Sequence, residues 1–240
     1  MPVNDHLKGS FLRYMSQISK SASDCHRENL KSLLPKNADW LLDVGCGNAQ
    51  SFYRHSSNLI IGVDLDSDSL KIAKKRIDGV ILADLNKGLP IKSNSMDVVY
   101  SDQVIEHMIN TDLFAQEMMR VLKSDGYALV GTENLASWHN IFALLMGDQP
   151  SSGPYISSRY KIGFHPIWNQ IDKKYNCYNG HNKVFTFKAI SEFLRLHGFK
   201  IETSLVSGYY PTSGVMSKLL GAIDKRHAHF MVFKVRKQKI

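Results

Sequence analysis

The stretch Trp40–Ala49, WLLDVGCGNA, decides how this chain is read. Its first half, WLLDV, is the near-continuous apolar run that a strand buried on both faces carries. Its second half turns on Gly45-Cys46-Gly47. Glycines let the backbone bend sharply and approach a ligand with no Cβ in the way. A bend directly after a buried strand lies where open α/β sheets bind ligands, at the carboxyl ends of the strands. Taken alone, a Gly-x-Gly turn is equally a structural bend, so its meaning depends on what surrounds it.

Outward from this stretch the chain alternates between two periods. Short β-rich runs are Leu59–Asp64 (LIIGVD), Gly79–Asp84 (GVILAD), Met96–Ser101 (MDVVYS) and Tyr127–Gly131. Helical patterns lie between them. Leu70, Ala73 and Ile77 share one face opposite Lys71, Lys74 and Lys75. Thr111 is placed to cap a helix whose buried stripe is Phe114, Met118, Val121 and Leu122, with Gly126 as its stop. Such alternation predicts a parallel sheet covered by helices on both faces. Leu135–Met146 reads as an amphipathic helix with Leu135, Trp138, Phe142 and Leu145 at helical spacing. Residues 147–183 show no regular element but hold Tyr155, Tyr160, Phe164, Trp168, Tyr175 and Tyr178, too aromatic for a disordered linker. They read as a lid or pocket wall. Thr186 as cap and Gly198 as stop bracket a further helix with Ile190, Phe193 and Leu194 inside. Closing strands fall near 199–206 and 229–235, with a short helix around 215–223. The first forty residues read as helix, with Phe11, Tyr14, Met15 and Ile18 on one face and Leu30, Leu33 and Leu34 on another.

Three acids end three successive strands. Asp43 stands beside the glycine bend, Asp64 lies seventeen positions past Gly47, and Asp84 twenty further on. An acid at the end of the second strand can accept hydrogen bonds from both hydroxyls of a ribose. One at the end of the third can accept from an adenine amino group. Each acid taken singly is also a plausible loop cap; the three together point to an adenosine-containing ligand. A dinucleotide is disfavoured because Gln50 stands where a third glycine is needed, and ATP because no Gly-x-x-x-x-Gly-Lys-Ser/Thr loop exists.

At these residues the chain resembles class I S-adenosylmethionine-dependent methyltransferases, over roughly Trp40 to Asn134. The matching motifs, in order, are LLDVGCGNA, IIGVDLD, ADLNKGLP, DVVYSDQVIEHM and MMRVLKSDGYALV. The resemblance implies a Rossmann-like α/β fold with a seven-stranded, mostly parallel sheet, helices on both faces and the last strand antiparallel. It implies S-adenosyl-L-methionine as cofactor, with Asp43, Gly45, Cys46 and Gly47 framing its methionine end. Asp64 would bind the ribose and Leu65 pack on the adenine. Asp84 and the backbone of Leu85 would read the adenine edge, and Ser101 would lie near the methionine part.

Methyl transfer needs alignment of a nucleophile and exclusion of water; alignment supplies up to ~7–11 kcal/mol in favourable cases. A base is needed only where the acceptor loses a proton, and adds ~10²–10⁴-fold. The candidate base is His107, in Gln103-Val104-Ile105-Glu106-His107 after the fourth strand. A histidine packed at a helix start is the competing explanation. Some relatives carry Glu-x-x-Glu-His here and hold a divalent metal. Gln103 replaces the first glutamate, which weakens a hard-metal site, so no metal is expected. His139, His165 and His181 are alternatives in or beside the variable segment, where surface or packing roles are the more ordinary explanation.

The acceptor is less legible. Ser101-Asp102-Gln103-Val104 stands where enzymes of exocyclic base amines carry Asn/Asp-Pro-Pro-Tyr/Phe, and no Pro-Cys pair exists for cytosine carbon chemistry. An O or N atom of a small molecule, glycan or lipid-linked acceptor remains. Alternatives are an RNA or protein acceptor and a non-catalytic cofactor-binding module. The chain has 240 residues, 43% of them apolar, enough for one substantial core, and is expected to form a single methyltransferase domain. Its parts would be a helical cap at 1–39, a cofactor-binding core at 40–134, a lid at 135–185 and the rest of the sheet at 186–240. Net charge is +8, and the last sixteen residues carry six cations and no acid after Asp224. A basic surface attracts anionic partners or simply confers solubility. Cys25, Cys46 and Cys177 form no disulfide or zinc pattern, which points to a reducing compartment and a cytoplasmic location. The N-terminus lacks a signal peptide's apolar core, and no stretch is long enough to span a membrane.

Overall fold

In the computed structural model, residues 5–49, 56–154, 156–157, 162–164 and 180–238 are described, with side chains from residue 13 onward. Gln50, Cys177, His165 and the aromatic residues Tyr155, Tyr160, Trp168, Tyr175 and Tyr178 lie outside them. The chain divides into two compact units. One comprises Asn29–Thr132, Lys188–Leu205 and Val232–Ile240; the other comprises Met1–Glu28, Glu133–Phe187 and Val206–Met231.

Seven strands form one sheet: β1 (Ala38–Val44), β2 (Ser57–Asp64), β3 (Gly79–Leu82), β4 (Met96–Asp102), β5 (Leu122–Glu133), β6 (Phe199–Ser207) and β7 (Phe230–Lys237), in the order β3-β2-β1-β4-β5-β7-β6. The pairs β3–β2, β2–β1, β1–β4 and β4–β5 are parallel. β7 runs against its neighbours. His229 donates to the Gly208 carbonyl and Gln238 to that of Gly198 on the β6 side, while Asn134 donates to the His229 carbonyl and Arg236 to that of Asp125 on the β5 side. The helices are α1 (Asp5–Leu33), α2 (Ser67–Ala73), α3 (Thr111–Val121), α4 (Trp138–Leu145), α5 (Phe187–Leu196) and α6 (Gly214–Ile223). This is the expected Rossmann-like arrangement. Among the described residues, no helix is long and apolar enough to cross a membrane.

The sheet's core follows from strand alternation. Leu41, Val98, Tyr100, Leu129 and Val232 are buried with Leu70, Ala73 and Ile77 of the α2 region and Leu30 of α1. Burying each large aliphatic side chain contributes about 1.5–3 kcal/mol. Polar ties fix the strand edges: Asp97 accepts from the Trp40 amide at 2.9 Å and from Lys123 Nζ at 2.7 Å. The loop before β4 hangs on Arg120, which donates to the Leu89 and Ile91 carbonyls while pairing with Glu117 at 2.7 Å.

Three local expectations are corrected. Asn110, not Thr111, caps α3: its Oδ1 accepts from the Leu113 amide at 3.0 Å, the spacing an Asx cap requires. β5 begins at Leu122, so Leu122 opens the strand instead of closing the helix, and Gly126 sits inside it. Met96 pairs with Leu122 but Val98 with Tyr127, so residues between them bulge, and a Cβ on Gly126 would lie 2.9 Å from the Met96 and Asp97 carbonyls. α4 starts at Trp138 because Asn134 Oδ1 takes the Ala136 amide at 3.0 Å and holds the preceding residues in a turn. The apolar stripe Trp138, Phe142 and Leu145 faces outward, and His139, Asn140 and Ala143 face inward.

Candidate cofactor site

The bend after β1 has the backbone its sequence requires. Gly45 and Gly47 have φ of 74° and 50°. The amides of Gly45 and Cys46 both donate to the Val63 carbonyl, at 2.8 and 3.2 Å, which ties the bend to β2. A Cβ on Gly45 would stand 2.4 Å from Val104 Cγ2; one on Gly47 would meet nothing within 4 Å. Gly45 is therefore packed against the chain after β4, while Gly47 faces open space.

Asp64 ends β2 and closes on this bend. Its Oδ2 accepts from the Gly47 amide at 2.7 Å and its Oδ1 from the Asp66 amide at 2.8 Å. Burial, then the charges of Asp43 and Asp64, push the Cys46 thiol up to about 12. The thiol fills the space beside Gly62, where a Cβ would lie 2.6 Å from Cys46 Sγ. Leu65, next in sequence, is 66% exposed, an unusual position for a large apolar side chain beside a carboxylate. Arg76 braces the exit of the bend by donating to the Asn48 and Ala49 carbonyls at 3.2 and 3.0 Å. Nothing in the sequence motif pointed to Arg76, because its reach depends on how the segment after α2 returns.

Asp84 follows β3 and caps a 3₁₀ turn, Leu85–Lys87, through the Asn86 amide at 3.0 Å. The loop-cap role considered for it is thus filled by one oxygen, and no hydrogen bond among the described residues joins it to Asp64 or the bend. Leu85 is buried, and Asn86 accepts from the Ile109 amide at 2.9 Å. Ser101 is buried in β4, and its Oγ makes no hydrogen bond among the described residues. Gln103 takes a φ of 57°, rare for a side chain of its size, with its amide on the Gly131 carbonyl at 2.9 Å. Its Nε2 is also buried with no such bond.

His107 closes a 3₁₀ turn, Ile105–His107, and is half-buried. Glu106 beside it is buried, and its Oε2 accepts from Thr132 Oγ1 at 2.9 Å. Thr132 lies in the strand next to β4 and went unremarked in the sequence, since only sheet order makes the two neighbours. His139 and His181 belong to the other unit. His139 Nε2 bonds Ser151 Oγ at 2.9 Å, and burial, then the charge of His229, hold its pKa well below the usual 6.5. His181 Nδ1 bonds the Ser152 carbonyl at 2.6 Å. The sequence also passed over Glu133 of that unit. Burial alone would raise its pKa, but the His229 imidazole 3.8 Å away, the charge of His181 and the Ser152 hydroxyl bring it to about 2.

The bend, its two carboxylates, an open approach at Gly47 and an exposed leucine suit a nucleoside carrying an amino-acid tail. Gly47 borders open space, and the buried Ser101 hydroxyl has no hydrogen bond among the described residues. A parallel sheet with this bend defines the Rossmann-like, nucleoside-binding class of α/β proteins. Residues 42–130 match the family described as a methyltransferase domain. The chain is 32% identical over 194 residues to malonyl-[acyl-carrier protein] O-methyltransferase of Hamiltonella defensa, covering 79% of this chain and 64% of that one. It is 26% identical over 186 residues to the mitochondrial ubiquinone biosynthesis O-methyltransferase of Rattus norvegicus, covering 72% and 48%. The chain thus spans about half to two thirds of the length of these relatives. A crystal structure of an S-adenosylmethionine-dependent methyltransferase from Mesorhizobium loti shares the fold, with a TM-score of 0.59 at 17% identity over 88% of this chain and 96% of that one. Residues 42–130 belong to the methyltransferase-domain family, and the chain is similar throughout its fold to class I S-adenosylmethionine-dependent methyltransferases, which implies S-adenosylmethionine as cofactor.

Proposed function

We propose that this chain transfers a methyl group from S-adenosylmethionine to an oxygen or nitrogen of a small molecule, glycan or lipid-linked acceptor, and that it does so as one cytoplasmic methyltransferase domain. Oxygen is favoured, because both relatives above are named as O-methyltransferases. The observation that carries the reading is the 2.7 Å bond from the Gly47 amide to Asp64, which draws the end of β2 onto the glycine bend.

When bound, the cofactor supplies an electrophilic methyl group on a sulfonium. The chain's own residues do the rest. Asp43, Gly45, Cys46 and Gly47 frame the methionine end, and Ser101 lies beside it. Asp64 takes the ribose hydroxyls, Leu65 covers one face of the adenine, and Asp84 with the Leu85 backbone meets its edge. Asp84 Oδ1 holds the cap, and its Oδ2, 3.8 Å from Lys87 Nζ, faces a side chain that is free to yield to a ligand. His107 takes the proton that an acceptor hydroxyl gives up, and Glu106, fixed by Thr132, holds the turn that carries it.

The test follows release of S-adenosylhomocysteine across a panel of hydroxylated small molecules, glycans, acyl thioesters and RNA. Turnover with a small acceptor that persists from low to high salt, and falls in His107→Ala with cofactor affinity intact, agrees with the reading. Turnover confined to RNA and collapsing steeply with salt overturns it.

A further inference from the structure

Two helices of the second unit are turned inside out. A helix on a protein surface ordinarily buries its apolar stripe and presents its polar face to water. α4 does the reverse: its buried residues are His139, Asn140 and Ala143. α6 buries Ser217 and Gly221, small residues that let it lie close on Val206. Both therefore turn their large apolar side chains outward. Trp138, Phe142 and Leu145 on α4, and Met216, Leu219 and Ile223 on α6, are 40–85% exposed.

The start of α4 lies beside the residues that follow α6. Trp138 opens α4 and stacks on His227, ring centroids 4.6 Å apart, just past the end of α6. Asp224 pins this contact, accepting from the Tyr209 hydroxyl at 2.9 Å and pairing with His227 at 2.7 Å. Arg226 is exposed beside the apolar stripe and Lys225 is half-buried, whereas Asp224 between them and α6 is held in those bonds; Lys218, also exposed, shares a cleft with Asp24 and Glu28 of α1.

We infer that the outward faces of α4 and α6 form a docking surface for an anionic lipid membrane. Contiguous exposed apolar surface marks an interaction site. Apolar side chains flanked by Lys and Arg, with a tryptophan at the polar edge, match a surface that sinks shallowly into a bilayer while its cations meet acidic headgroups. A second copy of the chain is a poorer occupant, because each copy carries a net charge of +8. The inference does not depend on the proposed acceptor.

The experiment is co-sedimentation of the full chain with phosphatidylcholine vesicles and with vesicles that also contain phosphatidylglycerol. Binding should be at least about tenfold stronger to the anionic vesicles and weaken with added salt. Phe142→Ser with Leu145→Ser, and separately Leu219→Ser with Ile223→Ser, should abolish it. Both double variants should keep their thermal transition and their affinity for S-adenosylmethionine, since neither touches the cofactor site. Lys225→Glu with Arg226→Glu should remove the preference for anionic vesicles. Wild-type chain that stays in the supernatant with anionic vesicles overturns the proposal. So does undiminished vesicle binding by both serine variants, or a concentration-dependent dimer in light scattering that the serine substitutions dissolve. Binding to an acidic protein with none to vesicles also overturns it.

Discussion

The Gly47 amide donates to Asp64 Oδ2 at 2.7 Å, joining the bend after β1 to the tip of β2 across seventeen positions of sequence. One carboxylate thereby shapes the loop and presents charge at the same place. Asp64→Ala removes both roles and should weaken S-adenosylmethionine binding about 5- to 30-fold, 1–2 kcal/mol. Asp64→Asn keeps an oxygen for the Gly47 amide and should lose less. Titration calorimetry reads both, and equal, unchanged affinities would remove Asp64 from the site.

Gly45 is confined twice, by its φ of 74° and by Val104 Cγ2 at 2.4 Å from where a Cβ would stand. Gly45→Ala should therefore destabilise the fold by about 1–3 kcal/mol in urea denaturation. Adding Val104→Ala relieves the contact but not the backbone strain, so the double variant should recover part of that loss. Full recovery would mean that φ contributes nothing.

Burial first, and then the charges of Asp43 and Asp64, push the Cys46 thiol up to about 12. Thiolate is the reactive form. In the native chain at pH 8, Cys46 should resist iodoacetamide, and it should label readily once urea unfolds the protein. Mass spectrometry of the peptide decides this, and rapid native labelling would contradict the burial of the thiol.

Glu133 is lowered from an ordinary 4.5 to about 2. A carboxylate with a depressed folded pKa stabilises the fold above its unfolded value and loses that contribution as pH falls toward the folded one. The contribution should be intact above about pH 5 and fade between there and pH 2, a change of about 3 kcal/mol at most. Glu133→Gln should lower stability near pH 6 and flatten the dependence across that window. Denaturation midpoints measured at pH 6, 4 and 3 for both chains test it.

The elements legible in sequence are those whose signal is local. WLLDV, LIIGVD and GVILAD are runs that both faces of a sheet must bury, and the glycine bend carries a φ that other residues rarely adopt. Leu70, Ala73 and Ile77 declared the inner face of α2 and of the turn after it by their spacing, and all three are buried. The same logic found α4 but left its orientation open. Its stripe of Trp138, Phe142 and Leu145 has the right period, but period reveals only that a helix has two faces, not which of them is covered.

Sequence by itself determined the order of strands and helices, the bend and the acids at the strand tips, because backbone sterics and side-chain periodicity act over a few residues. Tertiary structure decided the rest. It set Asp64 onto Gly47, Thr132 onto Glu106 and Arg76 under the exit of the bend, and it turned the apolar faces of α4 and α6 outward. Each of these depends on which segments, distant in the chain, the sheet order brings side by side, and no local pattern encodes that.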